Sequence, residues 1–310
     1  MNPSFASDRF FRTVLGDLPV KEMGVCYAHE HLWIDSPIVR EEMPEYHLND
    51  LNLAIQELQS FRAAGGQTCM DAMPGDAGRG LAQLAQLSQI TGTHIVASTG
   101  AHLAKYYEKN HWSFHESSEA MAQQFITEIE TGEIKTGLIK VASGEQWTDR
   151  ERKTFEAAAQ AHQKTGAPIL THTEQGLLAL EQAALFQKEG VKLSHVVLSH
   201  TDRTPDIGYH REILSTGVCV EYDSAFRWKE DRNPTRDLIL QLIPEFPGQI
   251  LLGMDAARKS YWKSCGGTPG LDYLLTDFKR VLMQRGLSES QWTNIMIHNP
   301  AAAYSFRSRF

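Results

Sequence analysis

Eight short β-rich runs, helical periodicity between successive runs and the absence of a glycine-rich phosphate loop predict an α/β fold, a single-domain (β/α)8 TIM barrel over residues 1–310. The runs fall at 24–28, 67–71, 94–98, 138–142, 168–172, 196–200, 217–222 and 250–254. Each is short and rich in β-forming residues, without a sustained polar/apolar alternation. Between them Leu51–Leu58 and Leu81–Leu87 return apolar residues every three or four positions. Similar periodicity marks 117–131, 151–165, 175–189, 206–216, 234–243 and 270–285, and 288–307 reads as a closing helix with an extension packed on the barrel. A doubly wound sheet would carry G-x-G-x-x-G or a Walker sequence, and neither occurs. No Ser/Pro/Gly-rich linker divides the units, although a two-domain arrangement stays open as the alternative.

Composition narrows the classes of partner. A chain with 42% apolar residues buries a substantial core, and a formal charge of -8 with mixed signs provides no basic stripe for nucleic acid. No apolar stretch approaches the roughly 20 residues that span a bilayer, and residues 1–9 lack the basic-then-apolar layout of a signal peptide. The expectation is a cytoplasmic protein acting on a small molecule, without membrane or nucleic-acid partners. Cys26, Cys69, Cys219 and Cys265 form no C-x-x-C pair and read as reduced packing residues.

Catalytic groups of such a barrel project from the C-terminal ends of its strands. The first run ends in His29-Glu30-His31, where alternate residues face one way, so the two imidazoles can converge on one ion. Lys140 lies in the fourth run, His172 ends the fifth, His200 the sixth and Asp255 the eighth. Singly, each has a plain structural reading: a histidine capping a carbonyl, Asp255 as a helix N-cap, Lys140 snorkelling. Together they require five strand ends to have acquired ligand-type residues by coincidence.

The order of motifs resembles the phosphotriesterase family of the amidohydrolase superfamily from about Thr13 to Phe306. The residues that carry it are Thr13-Val14-Leu15-Gly16, His29-Glu30-His31-Leu32, Gly100, Ile139-Lys140-Val141, Thr171-His172-Thr173-Glu174, Ser199-His200-Thr201-Asp202, Gly253-Met254-Asp255 and Asn299-Pro300. The resemblance implies two divalent metal ions, zinc foremost, with Mn, Co or Fe also compatible. It implies that His29, His31 and Asp255 hold a buried ion and His172 and His200 a more exposed one. Lys140, carboxylated by CO2 to N6-carboxylysine, would bridge them. A metal-bridging hydroxide would then attack, with Asp255 as the catalytic proton carrier.

Two mouth loops, 221–229 and 256–263, concentrate cations and aromatics. Arg227, Arg258 and Lys229 are candidates to grip an anionic substituent, and the competing reading pairs them with Glu221, Asp223, Glu230 or Asp231. Tyr106 and Tyr107 follow the third strand and are candidates to orient a substrate carbonyl. His102, His111 and His115 in the same loop read as surface or lid residues. The loop Asp255–Trp262, with Gly266-Gly267 and Pro269-Gly270 after it, is similar to that of lactone-opening members of the family, including those acting on phosphorylated sugar lactones. The expected reaction is hydrolysis of a lactone or related ester bearing a phosphate or carboxylate. Phosphotriester or amide hydrolysis, and a non-catalytic metal- or ligand-binding barrel, are the alternatives. Phe10, Phe11, Trp33 and Trp112, read as loop aromatics, leave room for a homodimer as readily as for core packing.

Overall fold

Strands covered on both faces lose the polar/apolar alternation of a half-exposed sheet, and every barrel strand here is covered in this way. The computed structural model describes residues 9–229 and 231–307. Residues 1–8, most of the stretch read for a signal peptide, and Glu230 lie outside the described residues. A hairpin of β1 (Arg9–Thr13) and β2 (Gly16–Pro19) comes first. The barrel strands follow as β3 (Cys26–Glu30), β4 (Thr68–Asp71), β5 (His94–Ala101), β6 (Leu138–Ser143), β7 (Ile169–Thr173), β8 (Val196–Ser199), β9 (Cys219–Tyr222) and β10 (Ile250–Leu252). They pair in parallel, each with its sequence neighbour, in one eight-stranded sheet. The predicted fold class is therefore the observed one.

Closure of the barrel assembles the site. The Met254 and Asp255 N–H groups donate to the His29 carbonyl at 3.3 and 3.0 Å, just beyond β10. The buried Glu30 carboxylate accepts from the Met254 and Ala256 N–H groups at 2.7 and 3.3 Å. Glu30, facing away from its flanking histidines, thus ties the first barrel strand to the last. Gly253 makes the seam tight: a Cβ there would lie 2.7 Å from both the His29 nitrogen and its carbonyl oxygen. Gly100 does the same between β5 and β6, since its Cβ would stand 1.9 Å from the Lys140 carbonyl oxygen.

Helices cover the outside, the longest being Asp149–Thr165, which starts in a Thr148/Glu151 capping box and ends on left-handed Gly166. One apolar cluster fills the strand–helix layer and a second fills the barrel interior around Cys26, Met70, Leu138, Leu170, Val197 and Leu251. Phe11 enters that interior from β1 and is fully buried, and Phe10 stacks on Phe306 of β11 (Phe306–Arg307) at 5.0 Å. Trp33 and Trp112 pack partly buried against the outer cluster. Residues read as loop aromatics therefore serve the fold, Phe10 and Phe11 in a hairpin the apolar pattern was too short to reveal. The cysteines are free, three of them buried and Cys265 half-buried.

His210, outside the mouth, is a buried histidine kept neutral. Its Nε2 faces the Thr201 and Thr204 carbonyls at 3.1 Å each, and its Nδ1 accepts from the Tyr222 hydroxyl at 2.8 Å. Burial lowers its pKa to about 4. The unfolded chain takes up this proton near pH 6.5 and the folded chain only near 4. The stability that neutral His210 contributes is thus full above pH 6.5 and falls away as pH drops towards 4. Urea titrations should show wild type losing about 3 kcal/mol of its advantage over His210→Gln between pH 7 and 4. A pH-independent difference would refute this.

Candidate metal centre

His29 and His31 leave β3 on one side of the chain, with ring centroids 5.3 Å apart. Asp255 Oδ1 stands 3.3 Å from His31 Nε2 and 3.7 Å from His29 Nε2. These three residues bring their ligand atoms within 4.8 Å of one another. His200 lies on the other side of His29, centroids 4.9 Å apart, and His172 lies 4.6 Å from His200. Lys140 sits fully buried in β6, its Nζ 3.3 Å from the Thr171 carbonyl. All six residues that the sequence singled out as candidate ligands are thus gathered at the C-terminal end of the barrel.

Two of them carry left-handed backbone without being glycine, His200 at φ 65° and Asp255 at φ 45°. Such residues cost on the order of 1–3 kcal/mol and cluster where function fixes a side chain. Here the strain turns both side chains inward immediately after their strands.

The donor set suits divalent cations. Burial pushes the His29 imidazole well below its usual pKa, takes His200 to about 3 despite the adjacent Asp223, and lowers His172 as well. Neutral imidazoles keep the lone pair a metal needs. Burial works against ionised Asp255, but the hydrogen bond from His31 and the Arg227 guanidinium outweigh it and hold the carboxyl well below the usual range. Burial also lowers the Lys140 ammonium to about 8 against the pull of Asp255, Glu221 and Asp223, so near neutrality a fraction is free amine. The buried Nδ1 of His31 has no hydrogen-bond partner, an orphaned polar atom in the ligand cluster.

Sequence reasoning undervalued the groups behind these ligands. His200 Nδ1 is paired with Asp223, whereas His29 Nδ1 lies 3.0 Å from Ser199 Oγ and 3.3 Å from Glu221 Oε2. That last approach has ion-pair distance without hydrogen-bond alignment, and neither Glu221 oxygen accepts a hydrogen bond among the described residues. Glu221 and Asp223 alternate at the end of β9 as His29 and His31 do on β3, the signal that would have found them. Arg203 was also missed: its Nη2 is 3.1 Å from Asp223 Oδ1 and 3.0 Å from Asp255 Oδ2.

An open cavity of about 820 Å³, mouth included, rises above the ligands and is lined by Tyr106, Arg203, Arg227 and Arg258 among others. Arg227 donates to Asp255 Oδ2 at 3.0 Å and stacks against Phe226 and Tyr261. Arg258 donates to the Tyr46 hydroxyl at 2.6 Å and lies over the Tyr46 ring. Two other candidates stand elsewhere. Tyr107 is buried against a neighbouring pocket, its hydroxyl accepting from the His102 N–H at 2.8 Å, because the 104–106 turn leaves only Tyr106 facing the ligands. Lys229 is exposed in a local bridge with Arg232 and does not line the cavity. His102, read as a surface or lid residue, is a buried part of the cavity wall.

Known proteins share this architecture. The sequence model of the Phosphotriesterase family matches residues 9–304. A phospho-furanose lactonase from Mycoplasmopsis agalactiae is 31% identical, with 97% of this chain and 93% of its own length covered. A solved lactonase from Listeria monocytogenes superimposes with a TM-score of 0.91 at 29% identity, covering 96% of this chain and 100% of that one. The phosphotriesterase homology protein of Escherichia coli, solved with phosphate in its active site, gives a TM-score of 0.84 at 30% identity, covering 90% and 98%.

Proposed function

The chain belongs to the phosphotriesterase family and is a hydrolase, and from that premise we propose that it opens a lactone, or a related carboxylic ester, bearing an anionic substituent. The observation that carries the substrate class is Arg258 on the cavity wall. Arg203 and Arg227 are engaged by Asp255, whereas Arg258 meets a neutral tyrosine hydroxyl and forms no ion pair among the described residues. Its guanidinium is thus available to a phosphate or carboxylate. Lys105 on the same wall lies over the Tyr106 ring and adds a second cation. The phosphorylated-lactone activity named for the mycoplasmal relative, and the phosphate in the E. coli structure, support the same reading.

His29, His31 and Asp255 would hold one divalent ion and His172 and His200 a second, with Lys140, as N6-carboxylysine, shared between them. Zinc is the first candidate. Bound ions supply a water acidified towards a pKa of about 7 and a Lewis acid for the carbonyl oxygen. Asp255, kept ionised by His31 and Arg227, would accept the proton of the attacking water and return it to the leaving alkoxide. Asp223 and Ser199 hold the His200 and His29 rings in orientation.

Assay of zinc-loaded protein against phosphorylated and plain γ-lactones, N-acyl amino acids and neutral phosphotriesters tests the reaction. Turnover of lactones is expected, and its absence would refute the reading. Arg258→Met should raise KM for the phosphorylated lactone about tenfold or more, the scale of a hydrogen bond to a charged group, and leave the plain lactone within twofold. Equal losses on both would remove Arg258 as the anion site.

A further inference from the structure

We propose that His102 is a catalytic hydrogen-bond donor, its Nε2–H directed at the carbonyl oxygen of the bound lactone, a role that rests on the hydrolase reading above. The Leu103 N–H donates to His102 Nδ1 at 2.7 Å. A neutral imidazole accepting at Nδ1 carries its proton on Nε2. That tautomer cannot ligate a metal through Nε2, so His102 joins the site as a donor and not as a further ligand. The residue is 7% exposed and lines the cavity. Its ring lies 5.1 Å from that of His172 and 4.5 Å from that of Tyr106, centroid to centroid.

The surrounding structure fixes this ring more firmly than a lid residue requires. The His102 N–H donates to the Tyr107 hydroxyl at 2.8 Å, and the His102 carbonyl accepts from Arg150 Nη1, also at 2.8 Å. The Arg150 guanidinium in turn lies over the Tyr107 and Phe114 rings. Backbone on both sides of His102 is therefore pinned, which accounts for the burial of Tyr107. A donor preorganised beside the carbonyl is stronger in the transition state, where the oxygen gains charge, than in the ground state.

Three measurements test the proposal. His102→Phe, which keeps a ring and removes the donor, should lower kcat about 10²-fold with metal content and KM near wild type. His102→Gln, which restores an N–H donor, should recover about tenfold of that loss. A kcat within threefold of wild type in His102→Phe, or loss of bound metal in both variants, would overturn the assignment. Nitrogen-15 spectra of the zinc-loaded wild type provide a readout independent of turnover and of variant folding. They should show the Nε2–H tautomer, with its proton moving downfield on saturation with 2-pyrrolidinone, a non-hydrolysed cyclic carbonyl compound. The Nδ1–H tautomer or an unmoved proton refutes the role of His102, whereas failure of wild type to open any lactone refutes the reaction.

Discussion

Replacing Lys140 by Ala is expected to lower bound metal from about two equivalents to one or fewer, and to reduce kcat at least about 10³-fold. Groups that act as a unit lose most of the activity when one is removed. The physical reason lies in the position of the amine. It is fully buried among Asp255, Glu221 and Asp223, and burial brings its pKa down to about 8. An ammonium there would repel two cations, whereas the free amine can add CO2 and become an anionic, two-oxygen ligand. The free-amine fraction grows as pH rises through 8, so loading of metal-free protein should quicken with pH and with added bicarbonate. Lys140→Glu supplies a carboxylate without CO2 and should keep metal while losing the bicarbonate dependence. Metal analysis with steady-state kinetics checks both, and full retention of metal and activity in Lys140→Ala would refute the bridge.

The fold was legible because barrel strands buried on both faces leave short β-rich runs that recur between helical stretches, and all eight such runs became strands within a few residues. The candidate site was legible for a related reason. Strand ends are short, ordered positions, and a histidine closing an apolar run stands out there. The β1–β2 hairpin was not legible, because its Phe10-Phe11 pair is too brief to declare a period and its partner β11 lies almost 300 residues away in sequence. The carboxylates behind the ligands were hidden differently. Glu221 and Asp223 could be solvated charges beside a strand end, so their i, i+2 spacing was a signal that carried little weight until the closed barrel set them against His29 and His200. Tyr106 and Tyr107 look equivalent in sequence, yet a single turn at 104–106 sends one to the cavity and the other into the wall. Charge content drew attention to the basic loops as a whole, but only the pairing pattern separates engaged Arg203 and Arg227 from Arg258, which forms no ion pair among the described residues.

Arg203 decides how the acids of the site coexist in the folded chain. Its Nη2 reaches Asp223 Oδ1 at 3.1 Å, Asp255 Oδ2 at 3.0 Å and His200 Nδ1 at 3.0 Å, with the side chain 17% exposed. Replacing it with Met leaves two ionised carboxylates facing each other in a poorly solvated pocket. Removing one partner of a buried ion pair costs about 3–5 kcal/mol, much of it the price of the charge left behind. In chelator, Arg203→Met should therefore lower the unfolding free energy by about 3 kcal/mol, read from urea titrations at pH 7. Zinc at saturating concentration neutralises Asp255 by another route and should recover at least half of that loss. At pH 4 the difference in chelator should also shrink, because without the guanidinium both carboxyls protonate more readily and the repulsion disappears. Equal destabilisation with and without zinc would mean that Arg203 acts by packing alone.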